Sequence, residues 1–220
     1  VIAVPVMGAD FQRGLNAAKR GDFSTALKEW KPLAENGNVN AQYNLGIMYD
    51  LGNGVEKNIE EAFRWYRKAA EQGYSKAQFN VGEMYRFGLG VKKDLSKAVE
   101  WLRYAAVKGH LKAMNNLGLM YKKGIGVKRD YQKAIDMYRL AARRRDSGAL
   151  SNLGVMYFNG LGVPINYVTA YKWFYLSLLQ EENNISQKNL ATVTRKLSLP
   201  QIADAKILAR ECVKAKYKGC

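Results

Sequence analysis

The sequence has few of the residues that reactive sites need. Its 220 residues include one histidine, His110, and two cysteines, Cys212 and Cys220, both near the end of the chain. Metal sites draw on several Cys, His or carboxylate ligands at short spacings, and many serine nucleophiles sit in a GxSxG turn. Because neither pattern occurs, we expect no catalytic residue, no metal and no cofactor. His110 is interpreted as a surface or helix-capping residue.

Long apolar runs and acidic residues are also scarce. No stretch approaches the roughly 18 apolar residues that span a bilayer, which predicts a chain without a transmembrane helix. The 19 Asp and Glu stand against 35 Lys and Arg, for a formal net charge of +16. This excess favours an acidic partner, which includes proteins, nucleic acid, other acidic polymers and an anionic envelope surface.

The first nine residues and the two cysteines bear on location. Residues 1–9, VIAVPVMGA, are apolar and end in small side chains, like the end of a signal peptide, although no basic segment precedes them. The alternative is a disordered arm. In an exported protein the even cysteine count favours a Cys212–Cys220 disulfide, provided that the helix ends before Tyr217 and the chain turns back through Gly219. We therefore predict a periplasmic or secreted protein.

What the sequence does contain is a repeat. Positions 36 residues apart match, as in the series Gly46, Gly82, Gly118 and Gly154. Each copy carries a Gly-x-Gly turn, at 52–55, 88–91, 124–127 and 160–163. Glycine-rich turns before helices can bind phosphate, but phosphate loops are normally single and follow a strand. These four follow helical patterns, so we interpret them as helix stops with positive-φ turns.

Each copy is predicted to form two helices, A and B. Helix A runs from about Asn40 to Asp50 in the first full copy. Helix B begins after a short Asx side chain that can cap it; these residues are Asp22, Asn58, Asp94, Asp130 and Asn166. Helix B then places a large residue beside small ones, which favours close helix packing; the large residues are Trp30, Tyr66, Leu102, Tyr138 and Phe174.

The LGxxY and GxGV patterns resemble the Sel-one-like repeat family, a relative of the tetratricopeptide repeat. The resemblance covers residues 10–182 in five units: 10–37, 38–73, 74–109, 110–145 and 146–182. It implies an all-α fold, a right-handed α-solenoid of stacked helix-turn-helix repeats, which acts as an interaction scaffold. Many bacterial relatives are exported. Cysteine-rich members carry a disulfide in each helix pair, whereas this chain has no cysteine within the repeats.

The period breaks after about residue 182. We predict that residues 183–220 form a helical C-terminal cap that covers the last apolar face of the repeats. Its final helix, roughly Gln201 to Lys216, is expected to be capped by Ser198 with Pro200 in its first turn. One side of that helix would carry Ile202, Ala205, Leu208, Ala209 and Cys212.

The resemblance also implies where a partner binds. In tetratricopeptide relatives the concave face comes mostly from helix A, which here would supply a peptide groove of Asn40, Tyr43, Asp50, Lys76, Phe79, Glu83, Arg86, Lys112, Asn115 and Lys122. An acidic, extended peptide suits these residues. A ladder of Asn44, Asn80, Asn116 and Asn152 could clamp such a peptide, but we favour a structural role in which the amides bond loop carbonyls.

A second charged feature is the basic stretch 122–145, with Lys128, Arg129, Arg143, Arg144 and Arg145 as its candidate patch. Cations at the end of a helix B are favoured by the helix dipole without any partner.

The main hypothesis from the repeat and the lack of reactive residues is a non-enzymatic scaffold for a protein or peptide. One alternative is a cell-wall or β-lactam hydrolase, suggested by cysteine-rich relatives described as penicillin-binding. The other is polyanion binding, although nucleic acid is disfavoured because the aromatic residues occupy packing positions.

Overall fold

A computed structural model describes residues 8–181 and 184–220, and these ranges are helical without any strand. The helices are α1 (Phe11–Lys19), α2 (Phe23–Glu35), α3 (Val39–Leu51), α4 (Ile59–Glu71), α5 (Ser75–Phe87), α6 (Leu95–Val107), α7 (Leu111–Lys123), α8 (Tyr131–Ala142), α9 (Ser147–Asn159), α10 (Tyr167–Gln180), α11 (Asn184–Thr194) and α12 (Leu199–Lys214). The predicted all-α fold is confirmed. Most of the predicted leader remnant, residues 1–7, and the junction at 182–183 lie outside the described residues.

The chain divides into two compact units, Val1–His110 and Leu111–Cys220. In the first unit, α1 pairs with α2, α3 with α4 and α5 with α6, and α2–α3 and α4–α5 contacts stack the three hairpins. In the second unit, α7 pairs with α8 and α9 with α10, α8 packs on α9, and α11 and α12 pack on α10. The five predicted repeats each contain one hairpin, and their boundaries stay predictions.

The ends of the helices follow the predicted capping chemistry. The five Asx residues before helix B each accept a hydrogen bond from the main-chain N–H three residues on, as Asp94 does from Lys97 at 2.9 Å. The helices A that precede the Gly-x-Gly turns end in left-handed glycines, such as Gly52 at φ 77°. The first hairpin instead turns through Gly21 at φ 80° directly into the Asp22 cap.

Each hairpin is closed by a glycine under a large side chain. The glycine of helix A lies directly against the large residue of helix B, so that a Cβ atom at Gly118 or Gly154 would lie 2.5 Å from the ring of Tyr138 or Phe174. The same pairing joins Gly14 to Trp30, Gly46 to Tyr66 and Gly82 to Leu102. This close approach explains why the glycine recurs with the repeat and why the large residues are buried.

The second glycine of the Gly-x-Gly turns also has a packing role. A Cβ atom at Gly54 would lie 2.7 Å from Phe23, the first residue of α2, and one at Gly162 would lie 2.6 Å from Tyr131, the first residue of α8. Gly90 lies in the same way against the Ile59 carbonyl. The turn therefore rests on the start of the preceding helix B, which explains its repeated sequence without a bound phosphate.

The C-terminal region adds two helices to α10. Ser198 and Gln201 form a capping box at the start of α12, and Pro200 lies in its first turn, as expected. The helix begins two residues earlier than predicted, at Leu199, and ends at Lys214. Ala205, Ala209 and Cys212 are buried, whereas Leu208 on the same side is 40% exposed. The part of α12 that packs on α10 is therefore narrower than the apolar stripe in the sequence.

Candidate functional site

The predicted groove residues share one side of each helix A, here called the helix-A face. They are Asn40, Tyr43 and Asp50 on α3, Lys76, Phe79, Glu83 and Arg86 on α5, and Lys112, Asn115 and Lys122 on α7. Spacings of three and four residues place such side chains on the same face of a helix. Asn40, Lys76 and Lys112 are exposed, and the other seven are partly buried. That a ligand contacts these residues stays a prediction.

An aromatic cluster forms the α3 part of this face. The Tyr43 ring lies 5.6 Å from the Tyr66 ring and 5.0 Å from the Tyr74 ring, centroid to centroid. The Tyr66 hydroxyl donates to Asp50 Oδ2 at 3.5 Å. Burial, and then the Asp50 carboxylate, raise the pKa of Tyr66 well above its usual value, so the hydroxyl stays a neutral donor. The cluster gives this part of the face a partly buried aromatic surface, with Tyr66 buried beneath Tyr43 and Tyr74.

An ion pair with unsatisfied atoms forms the α5 part. Arg86 Nη2 lies 2.6 Å from Glu83 Oε2, one turn apart on α5. Glu83 Oε1 and Arg86 Nε are both buried and have no hydrogen-bond partner. The guanidinium also lies 4.2 Å from the centre of the Phe87 ring. Buried charged groups are normally fully hydrogen-bonded, so this pair has spare bonding capacity at the helix-A face.

Contacts between repeats recur along the face at a spacing of 31 residues. Tyr43 contacts Tyr74, Phe79 stacks on His110 at a ring distance of 4.6 Å, and the Asn115 amide donates to the Asp146 carboxylate. Tyr74, His110 and Asp146 each stand just before the next helix A. The sequence analysis missed these contacts because it compared only equivalent positions, which are 36 residues apart. A search for polar and aromatic pairs 31 residues apart could have found them. His110 is thus a structural contact at a helix start.

Amides and lysines make up the α7 part. Asn115 Oδ1 accepts from Asn152 Nδ2 at 3.2 Å, so its amide is bonded on both sides. Lys112 is exposed, whereas Lys122 is half-buried, and burial, followed by nearby Lys123, lowers the pKa of Lys122. This part of the face therefore combines a fixed amide with two positive side chains.

The asparagine ladder lies partly buried beside the face. Asn80 interacts with the hydroxyls of Tyr43 and Tyr66, and Asn152 with the Asn115 amide. These contacts join side chains of neighbouring helices, and are not the loop-carbonyl bonds that we expected. A structural role for the ladder, including Asn44 and Asn116, stays a prediction.

The structure separates the five residues of the basic patch. Lys128 and Arg129 lie in the turn before α8, and Arg143, Arg144 and Arg145 lie just after its end. At 1.5 Å per helical residue, Arg129 and Arg143 are about 20 Å apart along α8. All five side chains are exposed. They therefore form two groups at opposite ends of a helix, and not the single patch that the sequence suggested.

Among the described residues, no group of three or more His, Cys, Asp or Glu side chains could hold a metal ion. Within the same ranges no helix is long and apolar enough to cross a membrane. Cys212 and Cys220 are joined in a disulfide, with α12 ending at Lys214 and the chain turning through Gly219 at φ 72°.

The repeated units match a known family model. The Sel1 repeat model matches residues 39–74, 75–110, 111–146 and 147–180, which is most of the chain. This chain belongs to the Sel1-repeat family. Sel1-repeat proteins generally act as non-enzymatic scaffolds for protein interactions. The comparisons give no support to the hydrolase or polyanion alternatives.

Solved structures of bacterial proteins show the same repeats. A protective antigen present in uropathogenic Escherichia coli strains, which displays an SLR fold, is 39% identical over 94% of this chain, with a TM-score of 0.84. A Sel1 repeat protein from Oxalobacter formigenes is 36% identical over 83%, with a TM-score of 0.79. The chain spans 45% of the first protein and 75% of the second. A comparison with curated proteins gives no match.

Proposed function

We propose that this Sel1-repeat protein is a non-enzymatic scaffold that holds a protein or peptide segment on its helix-A face. The observation that carries the proposal is the Glu83–Arg86 pair, whose buried Oε1 and Nε atoms lack partners. An unsatisfied buried polar atom costs free energy, and a bound peptide backbone offers both an N–H and a carbonyl group. The recurrence of partly buried aromatic and amide side chains on the same face supports this.

The charge of the face differs between the two units. In the first unit, Lys76 and Arg86 are balanced by Asp50 and Glu83, and the Arg86 charge is already paired. In the second unit, Lys112 and Lys122 are both positive, and the acidic group nearby is the single Asp146 carboxylate that accepts from Asn115. An acidic segment is thus favoured by the second unit, whereas the first unit suits a neutral, aromatic or aliphatic segment.

We further propose that the protein works in the periplasm or outside the cell. The Cys212–Cys220 disulfide supports this, because such bonds persist in oxidising compartments and are rare in the cytosol.

Site-specific photo-crosslinking in cells tests the proposal. A photoreactive amino acid replaces Asn40 or Lys112 on the face, or Lys108 or Lys188 as matched controls, which are exposed and lie off the face. We expect the two face positions to give a discrete protein adduct, identified by mass spectrometry, that the controls do not give.

Charge reversal then separates the face from general charge. With the photoreactive residue at Asn40, Lys76→Glu with Lys112→Glu should reduce that adduct, and Lys108→Glu with Lys188→Glu, which change net charge equally, should not. Equal adducts from the face and control positions, or equal loss with both pairs of variants, would exclude the helix-A face as the binding surface.

A further inference from the structure

A cavity of about 230 Å³ lies in the second unit, away from the helix-A face. Its lining comes from α8, α10 and the turn after α12, and includes Arg139, Arg143, Trp173, Tyr217 and Cys220. Helices α8 and α10 are both helices B, so the cavity uses other surfaces than the proposed scaffold face. An inference about it does not depend on the proposed function.

One wall of the cavity is held by several bonds. The Tyr217 N–H donates to the Cys212 carbonyl at 2.9 Å, and the disulfide joins Cys212 to Cys220. Gln180 Nε2 donates to the Tyr217 hydroxyl at 2.8 Å, and Lys172 Nζ donates to the Cys220 main-chain oxygen at 3.2 Å. These contacts fix the turn against α10, so the cavity is formed before any ligand binds.

The cavity is rich in hydrogen-bond donors and positive charge. Arg139 donates one side-chain N–H to the Tyr157 hydroxyl at 3.1 Å, whereas the exposed guanidinium of Arg143 donates to no described residue. The Trp173 indole N–H is buried without an acceptor. Lys172 lies just behind, with Nζ 4.3 Å from the centre of the Trp173 ring. No side chain among the described residues that line the cavity carries a carboxylate, and the Cys220 main-chain oxygen already accepts from Lys172. Donors without acceptors in a positive site indicate an anionic ligand.

The volume of the cavity and the side chains that line it limit the class of ligand that it can bind. Sites for drug-sized molecules are usually about 300–1,000 Å³, so this smaller cavity suits one side chain or a chain end. A guanidinium group pairs best with a planar carboxylate, through two parallel hydrogen bonds. The Trp173 and Tyr217 rings provide apolar walls for the carbon atoms beside it. We propose that this cavity binds a peptide carboxylate, from an Asp or Glu side chain or a free chain end.

Titration followed by proton–nitrogen correlation spectra tests the proposal on the full chain. The chain has 4 tryptophans, and a Trp173→Phe variant assigns the Trp173 indole signal. One probe is acetyl-Gly-Glu-Glu-Gly-amide, which offers side-chain carboxylates, and another is acetyl-Gly-Gly-Gly with a free carboxylate. The amidated triglycine and inorganic phosphate are the comparison ligands. We expect a saturable shift of the Trp173 signal with at least one carboxylate probe, and the two probes distinguish the source of the group.

The variants decide whether the cavity is responsible. Arg143→Gln should weaken binding about tenfold or more, because it removes a charge-assisted pair, and the exposed Lys188→Gln on α11, with the same loss of charge, should not. The proposal is overturned if the Trp173 signal does not saturate with either probe. It is also overturned if phosphate or amidated triglycine binds as tightly, or if the two variants bind alike. Since none of these residues lies on the helix-A face, failure here leaves the scaffold proposal standing.

Discussion

Glu29 on α2 and Lys172 on α10 are buried charged residues in the first and the last hairpin. The Glu29 carboxylate accepts from the Arg13 guanidinium at 2.9 Å and from the Asp10 main-chain N–H at 2.8 Å. Lys172 instead donates to a main-chain oxygen and lies over the Trp173 ring, and the charge that acts on it is the cation Arg139. The first hairpin therefore neutralises its buried charge, and the last one keeps a positive region.

Both groups have a lowered pKa, but with opposite consequences for stability. The Arg13 hydrogen bond lowers the pKa of Glu29, which means that folding favours the charged carboxylate. Burial, and then Arg139, lower the pKa of Lys172 to about 8, which means that folding disfavours the charged ammonium. Glu29 is thus a stabilising residue, whereas Lys172 is kept at a cost in stability.

The largest expected loss of stability comes from removing the large central side chain of the first or the last hairpin. Trp30 and Phe174 occupy equivalent positions, each over a glycine and each buried. Trp30→Ala and Phe174→Ala should each cost about 3–5 kcal/mol, as large-to-small substitutions in a core do. Because repeats interact mainly with their neighbours, hydrogen exchange should show lost protection in α1 and α2 for the first variant, and in α9 and α10 for the second.

The same two variants also test whether the first and the last hairpin unfold independently. Equal loss of protection throughout the chain for both variants would mean that the hairpins unfold as one cooperative block. In that case the contrast between Glu29 and Lys172 would describe local chemistry only, without any local difference in stability.

The fold was largely predictable because it depends on short-range patterns. The Asx caps, the left-handed glycines and the glycine under each large side chain all recur 36 residues apart, and each has one physical reason for its residue type. The exposure of Leu208 was not predictable, because an apolar stripe shows which residues could be buried and not how wide a surface the neighbouring helix covers.

The candidate site was less predictable. The helix-A face was predicted from the family resemblance. The side-chain contacts between residues 31 apart join non-equivalent positions of adjacent repeats, so a comparison of equivalent positions does not detect them. The cavity joins Arg139, Trp173 and Tyr217, which are far apart in the sequence and meet only because the last turn folds back on α10. No local sequence pattern predicts that these three residues line the same cavity.

Opening the disulfide should have the next largest effect, and only at the last hairpin. A Cys212→Ser, Cys220→Ser double variant should lose about 2–3 kcal/mol, since the bond closes a loop of 8 residues in sequence separation. Hydrogen exchange should show faster exchange of the Tyr217 N–H, which bonds the Cys212 carbonyl. Reduction of the unsubstituted protein is the matched comparison. Unchanged exchange at Tyr217 would mean that packing against α10 holds the turn without the bond.

Replacing Lys172 should change stability in the opposite direction. With a pKa of about 8 in the folded chain and 10.5 when unperturbed, the unfolded state binds more protons between these values, so stability rises with pH across that window. Below pH 8 the buried charge is unfavourable. Lys172→Met should therefore be about 1–3 kcal/mol more stable at pH 7, by chemical denaturation, with the gain shrinking toward pH 10. Lys188→Met, at an exposed site, should show no such trend. A less stable Lys172→Met variant would show that the Cys220 and Trp173 contacts outweigh the burial of the charge.

The smallest expected change in stability comes from removing the buried charge of the first hairpin, Glu29. Glu29→Gln keeps the shape of the side chain but removes the charge that pairs with Arg13 at 2.7 Å. Because the pKa of Glu29 is lowered by folding, its contribution is fully present above its unfolded pKa of about 4.3 and is lost as pH falls through the folded value. The variant should melt at a lower temperature at pH 7 and match the unsubstituted protein in strong acid. Glu35→Gln, exposed on the same helix, is the control. If both variants melt alike at pH 7, Glu29 does not stabilise the hairpin, and the two buried charges differ in their partners but not in their effect on folding.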